Sequence, residues 1–261
     1  MSTIEASDSL RTSIAVIVPS LDEQNTVSFV ISKIHAAIPN ASVVVVDGGS
    51  TDGTTDIVKS SEATLVTEAK RGYGRAIRAG IKSVDADFYM ILDADDTYDT
   101  SAIATMMERA RHGKVVVGRR LTDGRNMSLS HRIGNRVLSL AFNLMYDRKM
   151  VDTQSGFKVF PSQIAKLLKE DGMTLSLEII LLARHLNMEV EEIPVAYHPR
   201  HSNSESKFLF WKDGIPVFMF LLTRRWLRSH ATYGPVVTGQ LGGPRLKIPE
   251  NAPGPVSTER H

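Results

Sequence analysis

Cysteine is absent from the 261 residues. That excludes disulfide bridges, thiolate metal sites and cysteine nucleophiles, leaving carboxylates and histidine as possible metal ligands. An excess of one charge sign is also lacking. The 31 Lys and Arg stand against 29 Asp and Glu, for a formal net charge of +2, which carries no general signal for nucleic acid as a partner. No apolar run approaches the roughly 18 residues that a membrane-spanning helix requires, and no internal repeat is present. The first residues, MSTIEASDSLRTS, are polar and acidic where an export signal would be basic and then apolar, so the expected location is cytoplasmic. What the chain does have is 42% hydrophobic residues, enough for one substantial core with appendages.

The apolar residues are arranged in short runs. Ile14 to Val18 is a β-branched run ending at Pro19, followed by Val27, Val30, Ile31, Ile34 and Ile38 at helical spacing. Val43 to Val46 predicts a second buried strand, Thr54 to Lys59 a short helix and Ala63 to Val66 a third strand. Gly74 to Ser83 predicts a helix and Phe88 to Leu92 a strand. A helix over 101–111 follows, capped by Asp99 or Thr100, and then a strand over Lys114 to Gly118. Leu129, Ile133, Val137, Leu140, Ala141 and Leu144 mark a long amphipathic helix. A strand or hairpin at 156–160, a helix near 175–186 and a strand at 189–197 complete the globular part. This alternation predicts an α/β protein with a mostly parallel sheet flanked by helices.

In such sheets ligands bind beyond the carboxyl ends of the strands. There the sequence places Asp93, Asp95 and Asp96 in DADDTYD, a concentration of negative charge suited to Mg²⁺ or Mn²⁺ completed by substrate phosphate oxygens. The same residues also fit turns and a helix cap. Asp47, in DGGSTDGT, ends the second strand where glycines permit a tight turn and close approach to a ligand; it suits a nucleobase or ribose contact, or simply the turn itself. Pro19 to Glu23 ends the first strand at the same sheet edge. Lys70 and Arg71 precede a Gly-x-Gly that opens a helix, a pattern that fits an anion site.

The succession VIVPSLDEQNT, VVVVDGGSTDGT, KRGYGRAIRAGI and FYMILDADDTYD resembles the large inverting glycosyltransferase family 2, typified by dolichyl-phosphate mannose and glucose synthases, over about residues 13–211. The resemblance implies a GT-A fold, a Rossmann-like domain binding a nucleotide-diphosphate sugar. It implies nucleotide contacts from Pro19, Leu21, Glu23, Val45 and Asp47. Asp93, Ala94 and Asp95 would hold nucleotide, metal and diphosphate, with Mg²⁺ or Mn²⁺ as cofactor. GRR at 118–120, HRIGN at 131–135 and DTQSGFK at 152–158 resemble the polyprenyl-phosphate branch, in which Arg119, Arg132, Arg200 and Lys207 would bind donor diphosphate or acceptor phosphate. DTQSGFK is closer to the glucose branch, which favours UDP-glucose or UDP-N-acetylglucosamine over GDP-mannose. The Arg200 to Lys207 spacing is one residue longer than the family pattern.

The expected organisation is a flexible start (1–12), a GT-A domain (13–207), an amphipathic interfacial segment (208–230) and a disordered tail (231–261), whose prolines and glycines cannot offset ordering entropy. In the third segment, Trp226 and Arg224, Arg225 and Arg228 close an apolar stretch, as in a helix lying at a membrane surface; a core or dimer helix is the alternative. The expected partners are a nucleotide sugar, a polyprenyl or dolichyl phosphate, a membrane surface and a second copy of the chain. A same-fold enzyme acting on a hydroxyl acceptor would need a base, for which Asp152 is the candidate. A non-catalytic nucleotide-sugar sensor or scaffold is the reading from another class.

Overall fold

The computed structural model describes residues 12–121, 129–146, 149–199 and 215–226. The chain divides into two compact units, Met1–Arg225 and Trp226–His261. Apart from Trp226 the second unit lies outside the described residues, and so do residues 1–11, including most of the expected flexible start.

Four short runs rich in β-branched and aromatic residues form β1 (Ile14–Ser20), β2 (Ser42–Asp47), β3 (Thr64–Thr67) and β4 (Phe88–Ile91), joined by α1 (Val27–Ala37), α2 (Thr54–Lys59) and α3 (Tyr73–Ser83). A 3₁₀ turn at Thr100–Ala102 leads into α4 (Ile103–Arg111). Asp99 caps it by accepting from the Ser101 N–H at 2.9 Å. Then follow β5 (Val115–Leu121), α5 (Leu129–Tyr146), β6 (Lys158–Pro161), α6 (Ser162–Ala165), α7 (Leu175–His185), β7 (Val190–Ala196) and α8 (Ile215–Trp226).

The seven strands make one sheet in the order β3-β2-β1-β4-β6-β5-β7. All pairings are parallel except those of β6, which runs antiparallel to both β4 and β5. No hairpin forms at 156–160; β6 is inserted between two strands distant in sequence. The strand sides alternate between two cores. Val16, Val18, Val43, Val45, Met90, Val116 and Val159 pack with α1 and α4. On the opposite side of β5, Val117 packs with Leu138 and Phe142 of α5, Leu177 and Ile180 of α7, and Val217, Phe220 and Leu221 of α8. Burial on both faces is why these strands read as unbroken apolar runs.

Two helical features differ from simple amphipathic expectation. First, α8 turns Val217 and Leu221 fully into the core, at on the order of 1.5–3 kcal/mol per side chain, while Phe218, Met219 and Leu222 stay exposed. Second, α5 has three distinct stripes. Leu138, Phe142 and Tyr146 are buried, whereas Ile133, Val137, Leu140 and Leu144, on the opposite side of the helix by its 3.6-residue period, are 52%, 50%, 59% and 75% exposed. Between them runs a polar stripe. The Asn135 amide donates to Asp152 at 3.0 Å, Ser139 Oγ lies 3.3 Å from Thr153 Oγ1, and Asn143 exchanges two hydrogen bonds with the Met150 backbone at 2.8 and 2.9 Å. None of the described helices is long and apolar enough to cross a membrane.

Candidate functional site

Because β1, β2 and β4 are parallel, their carboxyl ends reach one edge of the sheet. Ser20 and Asp47 are register partners there, and the loops that follow are tied together. Glu23 N–H donates to Thr54 Oγ1 at 2.8 Å, Thr51 N–H to Asp22 Oδ1 at 2.7 Å, and Gly53 N–H to Gln24 Oε1 at 3.0 Å. Asp47 is buried and accepts from the Gly49 and Ser50 N–H groups at 3.0 and 3.1 Å, so its carboxylate closes the glycine turn. Gly49 takes φ +92°, a conformation side chains avoid. Pro19, Leu21 and Glu23 are half-buried along this edge. The Val45 side chain is fully enclosed in the core, two positions inside Asp47. The Ala94 methyl is enclosed in the same way, which leaves that residue only its backbone.

The three aspartates after β4 diverge. Asp95 is buried and accepts from Thr97 Oγ1 at 2.6 Å. Asp96, at φ +55°, turns toward α1, where Lys33 Nζ reaches both of its oxygens at 2.6 and 2.9 Å. Asp93 is half-buried and receives the Tyr73 hydroxyl at 3.4 Å; burial and the Asp93 charge push the Tyr73 phenol upward. Asp93 and Asp95 therefore remain as metal-binding candidates. Among the described residues no three acidic or histidine side chains cluster as a metal site, and two carboxylates fit a Mg²⁺ or Mn²⁺ that takes its other ligands from water and substrate phosphate.

Lys70 is exposed on the loop before α3, but the Gly-x-Gly beside it serves packing. A Cβ at Gly72 would stand 2.7 Å from the Asp171 carbonyl oxygen and one at Gly74 2.8 Å from that of Gly172. The Arg75 N–H, which an anion would need, donates to the Asp171 carbonyl at 3.0 Å. Thus the expected anion cradle is filled by residues 170–172.

On the other flank, β5 extends to Leu121 and carries both arginines of GRR. Arg120 forms a fork with Asp152, Nε to Oδ2 at 2.7 Å and Nη2 to Oδ1 at 2.8 Å, and lies 5.6 Å from the centre of the Tyr197 ring. Arg119, half-buried, follows Val117 by two and so shares its sheet face with Lys158, the register partner of Val117. Arg132 is half-buried in the first turn of α5. Asp152 also accepts from Arg120 N–H and Asn135. Burial pushes its carboxyl up, but the Arg120 charge and these hydrogen bonds outweigh burial and hold it below its usual value. A carboxylate so saturated is poorly disposed to take a hydroxyl proton, the role expected of Asp152 with a hydroxyl acceptor. Arg200 and Lys207 lie outside the described residues.

Several residues not singled out in the sequence join these flanks. Tyr98 Oη accepts from Gly156 N–H at 2.7 Å and lies 3.3 Å from Ser155 Oγ, which donates to the Gly118 carbonyl at 2.6 Å. Gly156 is seated directly against the Asp93 carboxylate. The DTQSGFK block was the available signal, but nothing in it says which member meets Asp93.

The fold of this sheet and its helices matches solved structures of glucosyl-3-phosphoglycerate synthase from Mycobacterium tuberculosis. The complex with uridine diphosphate superposes with a TM-score of 0.66 at 18% identity, covering 83% of this chain and 81% of that one. The fold is thus of the GT-A type. Glycosyltransferase AglJ of Haloferax volcanii is 28% identical over 217 residues, 81% of this chain and 71% of the relative. A dolichyl-phosphate hexose transferase of the same organism is 24% identical over 190 residues, 72% of this chain and 83% of the relative. The family model described as glycosyl transferase family 2 matches residues 15–168. The chain belongs to glycosyl transferase family 2 and is a glycosyltransferase.

Proposed function

We propose that this enzyme transfers a sugar from a nucleoside-diphosphate donor, UDP-glucose or UDP-N-acetylglucosamine ahead of GDP-mannose, to a polyprenyl phosphate at a membrane surface. The observation that carries the reading is the exposed apolar stripe of α5. Ile133, Val137, Leu140 and Leu144 form a patch that water does not favour and that a bilayer interface would cover. The polar stripe of the same helix holds residues 150–153, which lead to Gly156 and Asp93. The dolichyl-phosphate hexose transferase relative supports the same acceptor chemistry, while the phosphoglycerate-bound neighbours represent a soluble one.

A phosphate monoester is ionised near neutral pH, so its oxygen attacks the anomeric carbon without a side-chain base as the bond from that carbon to the diphosphate breaks. Asp93 and Asp95 would hold Mg²⁺ or Mn²⁺, which when bound offsets the charge of the departing diphosphate. The Mn²⁺-bound neighbours support this assignment. Arg119 and Arg132, with Arg200 and Lys207, supply the further positive charge that two phosphate-bearing substrates require. Asp47, Glu23 and Lys70 are assigned to the donor.

The test offers radiolabelled UDP- and GDP-sugars to vesicles carrying a polyprenyl phosphate and, separately, to 3-phosphoglycerate, with Mn²⁺ or EDTA and an Asp95→Asn control. Metal-dependent label in the lipid phase, lost in the control, is expected. Label confined to phosphoglycerate overturns the lipid acceptor.

A further inference from the structure

Lys158 is a lysine in the middle of a sheet. It opens β6 opposite Ile91, two residues before Asp93, and is 1% exposed. Among the described residues its Nζ donates to the Ser155 carbonyl, next to the glycine seated against Asp93. An ammonium so enclosed costs several kcal/mol in solvation unless its charge is used. Burial pushes Lys158 down to about 7; Asp152, Asp93 and Glu192 favour its charged form and Arg120 opposes it. Asp152 is already engaged by Arg120 and Asn135, and Glu192 accepts from the Val151 and Asp152 N–H groups at 2.9 and 2.8 Å. Asp93 is the acidic neighbour that faces the ligand edge.

We propose that Lys158 is a positioning residue of the donor site, whose ammonium fixes the Ser155–Gly156 backbone against Asp93 and sets a positive charge behind the metal-binding carboxylates. This inference rests on the assignment of Asp93 and Asp95 to metal and diphosphate. A charge in that place acts with opposite sign on the two ligands: it weakens binding of a divalent cation and strengthens binding of a diphosphate. A purely structural side chain would weaken both when replaced.

The experiment measures Mn²⁺ affinity of the nucleotide-free protein by electron paramagnetic resonance and UDP or GDP affinity at saturating Mn²⁺ by calorimetry, both at pH 6. Lys158→Gln keeps an N–H donor for Ser155 without the charge, Lys158→Met removes both, and Lys158→Arg keeps the charge. The expected result for Lys158→Gln is Mn²⁺ binding tighter by roughly three- to ten-fold and nucleotide binding weaker by a similar factor, from a unit charge acting at several ångströms in a protein-like dielectric. Lys158→Arg should stay near wild type, and Lys158→Met should add a loss of nucleotide affinity. Both affinities falling together in Lys158→Gln, or neither moving, overturns the role of Lys158. A wild-type protein that binds neither Mn²⁺ nor nucleotide overturns the site assignment itself, and the inference with it.

Discussion

Replacing Gly156 with alanine isolates the contact on which the acidic edge depends. The new Cβ would lie 2.7 Å from Asp93 Cγ and 2.8 Å from Oδ1, and closer still to Oδ2. Ordinary carbon contacts are about 3.5–4 Å, so something must move by roughly 1 Å. The glycine's own segment is anchored by Tyr98 Oη at 2.7 Å from Gly156 N, by Ser155 Oγ at 2.6 Å from Gly118 O, and by the Gly118 N–H to the Phe157 carbonyl at 2.8 Å. Asp93, half-buried, follows β4 at the sheet edge and should be the side that swings out. Overpacking of this kind costs about 1–3 kcal/mol, which leaves the protein folded. A misplacement of about 1 Å in a positioned group is worth up to about 10²-fold in rate. The expected outcome for Gly156→Ala is therefore a modest loss of stability in urea unfolding, a large loss of metal-dependent sugar transfer and weakened Mn²⁺ binding. A folded variant with wild-type Mn²⁺ affinity and wild-type transfer would show that Asp93 is not held for the metal by this contact.

Two further perturbations test the scaffold. Asp152→Asn strands the Arg120 guanidinium in its buried fork and should cost about 3–5 kcal/mol in urea unfolding. Because the folded Asp152 lies below its ordinary value of 3.8, its charge-dependent stabilisation is complete above the carboxylate range and is lost as pH falls through the folded value. The gap between wild type and Asp152→Asn must therefore shrink in acid; a constant gap down to about pH 2 would contradict the linkage. Gly80→Ala would set a methyl 2.7 Å from Ile17 Cγ2 and 2.8 Å from Val46 Cγ2. The clash of about 1–3 kcal/mol should outweigh the roughly 1 kcal/mol gain in helix propensity, lowering the melting temperature while per-molecule transfer stays unchanged.

Most of the strands were legible because both faces are buried, which writes them as apolar runs such as VVVV at 43–46. Their direction was not equally legible. Hydrophobicity carries no sign along the chain, so GFKVF announces a strand without announcing that β6 runs against its neighbours. The acidic edge was readable because aspartates cluster directly after an apolar run, but composition could not show that Asp96 belongs to Lys33. Arg119 and Arg120 are adjacent and alternate in facing, so only the register with β6 shows that Arg119 shares the Lys158 face while Arg120 pairs with Asp152. Val45 shows the converse, since a position carried over from a family pattern proves to have its side chain deep in the core.

The antiparallel course of β6 also divides labour along the chain. Since β6 runs backwards, the stretch that enters it, 152–157, reaches the edge where the parallel strands end. The loops assigned to the nucleotide all come from residues 19–98, whereas Arg119, Arg132 and the 150–157 ladder come after the exposed turn at Gly113. The reversed strand thus brings a late stretch of the chain onto the edge built by the early one, where Gly156 sits against Asp93 and its N–H donates to the Tyr98 hydroxyl.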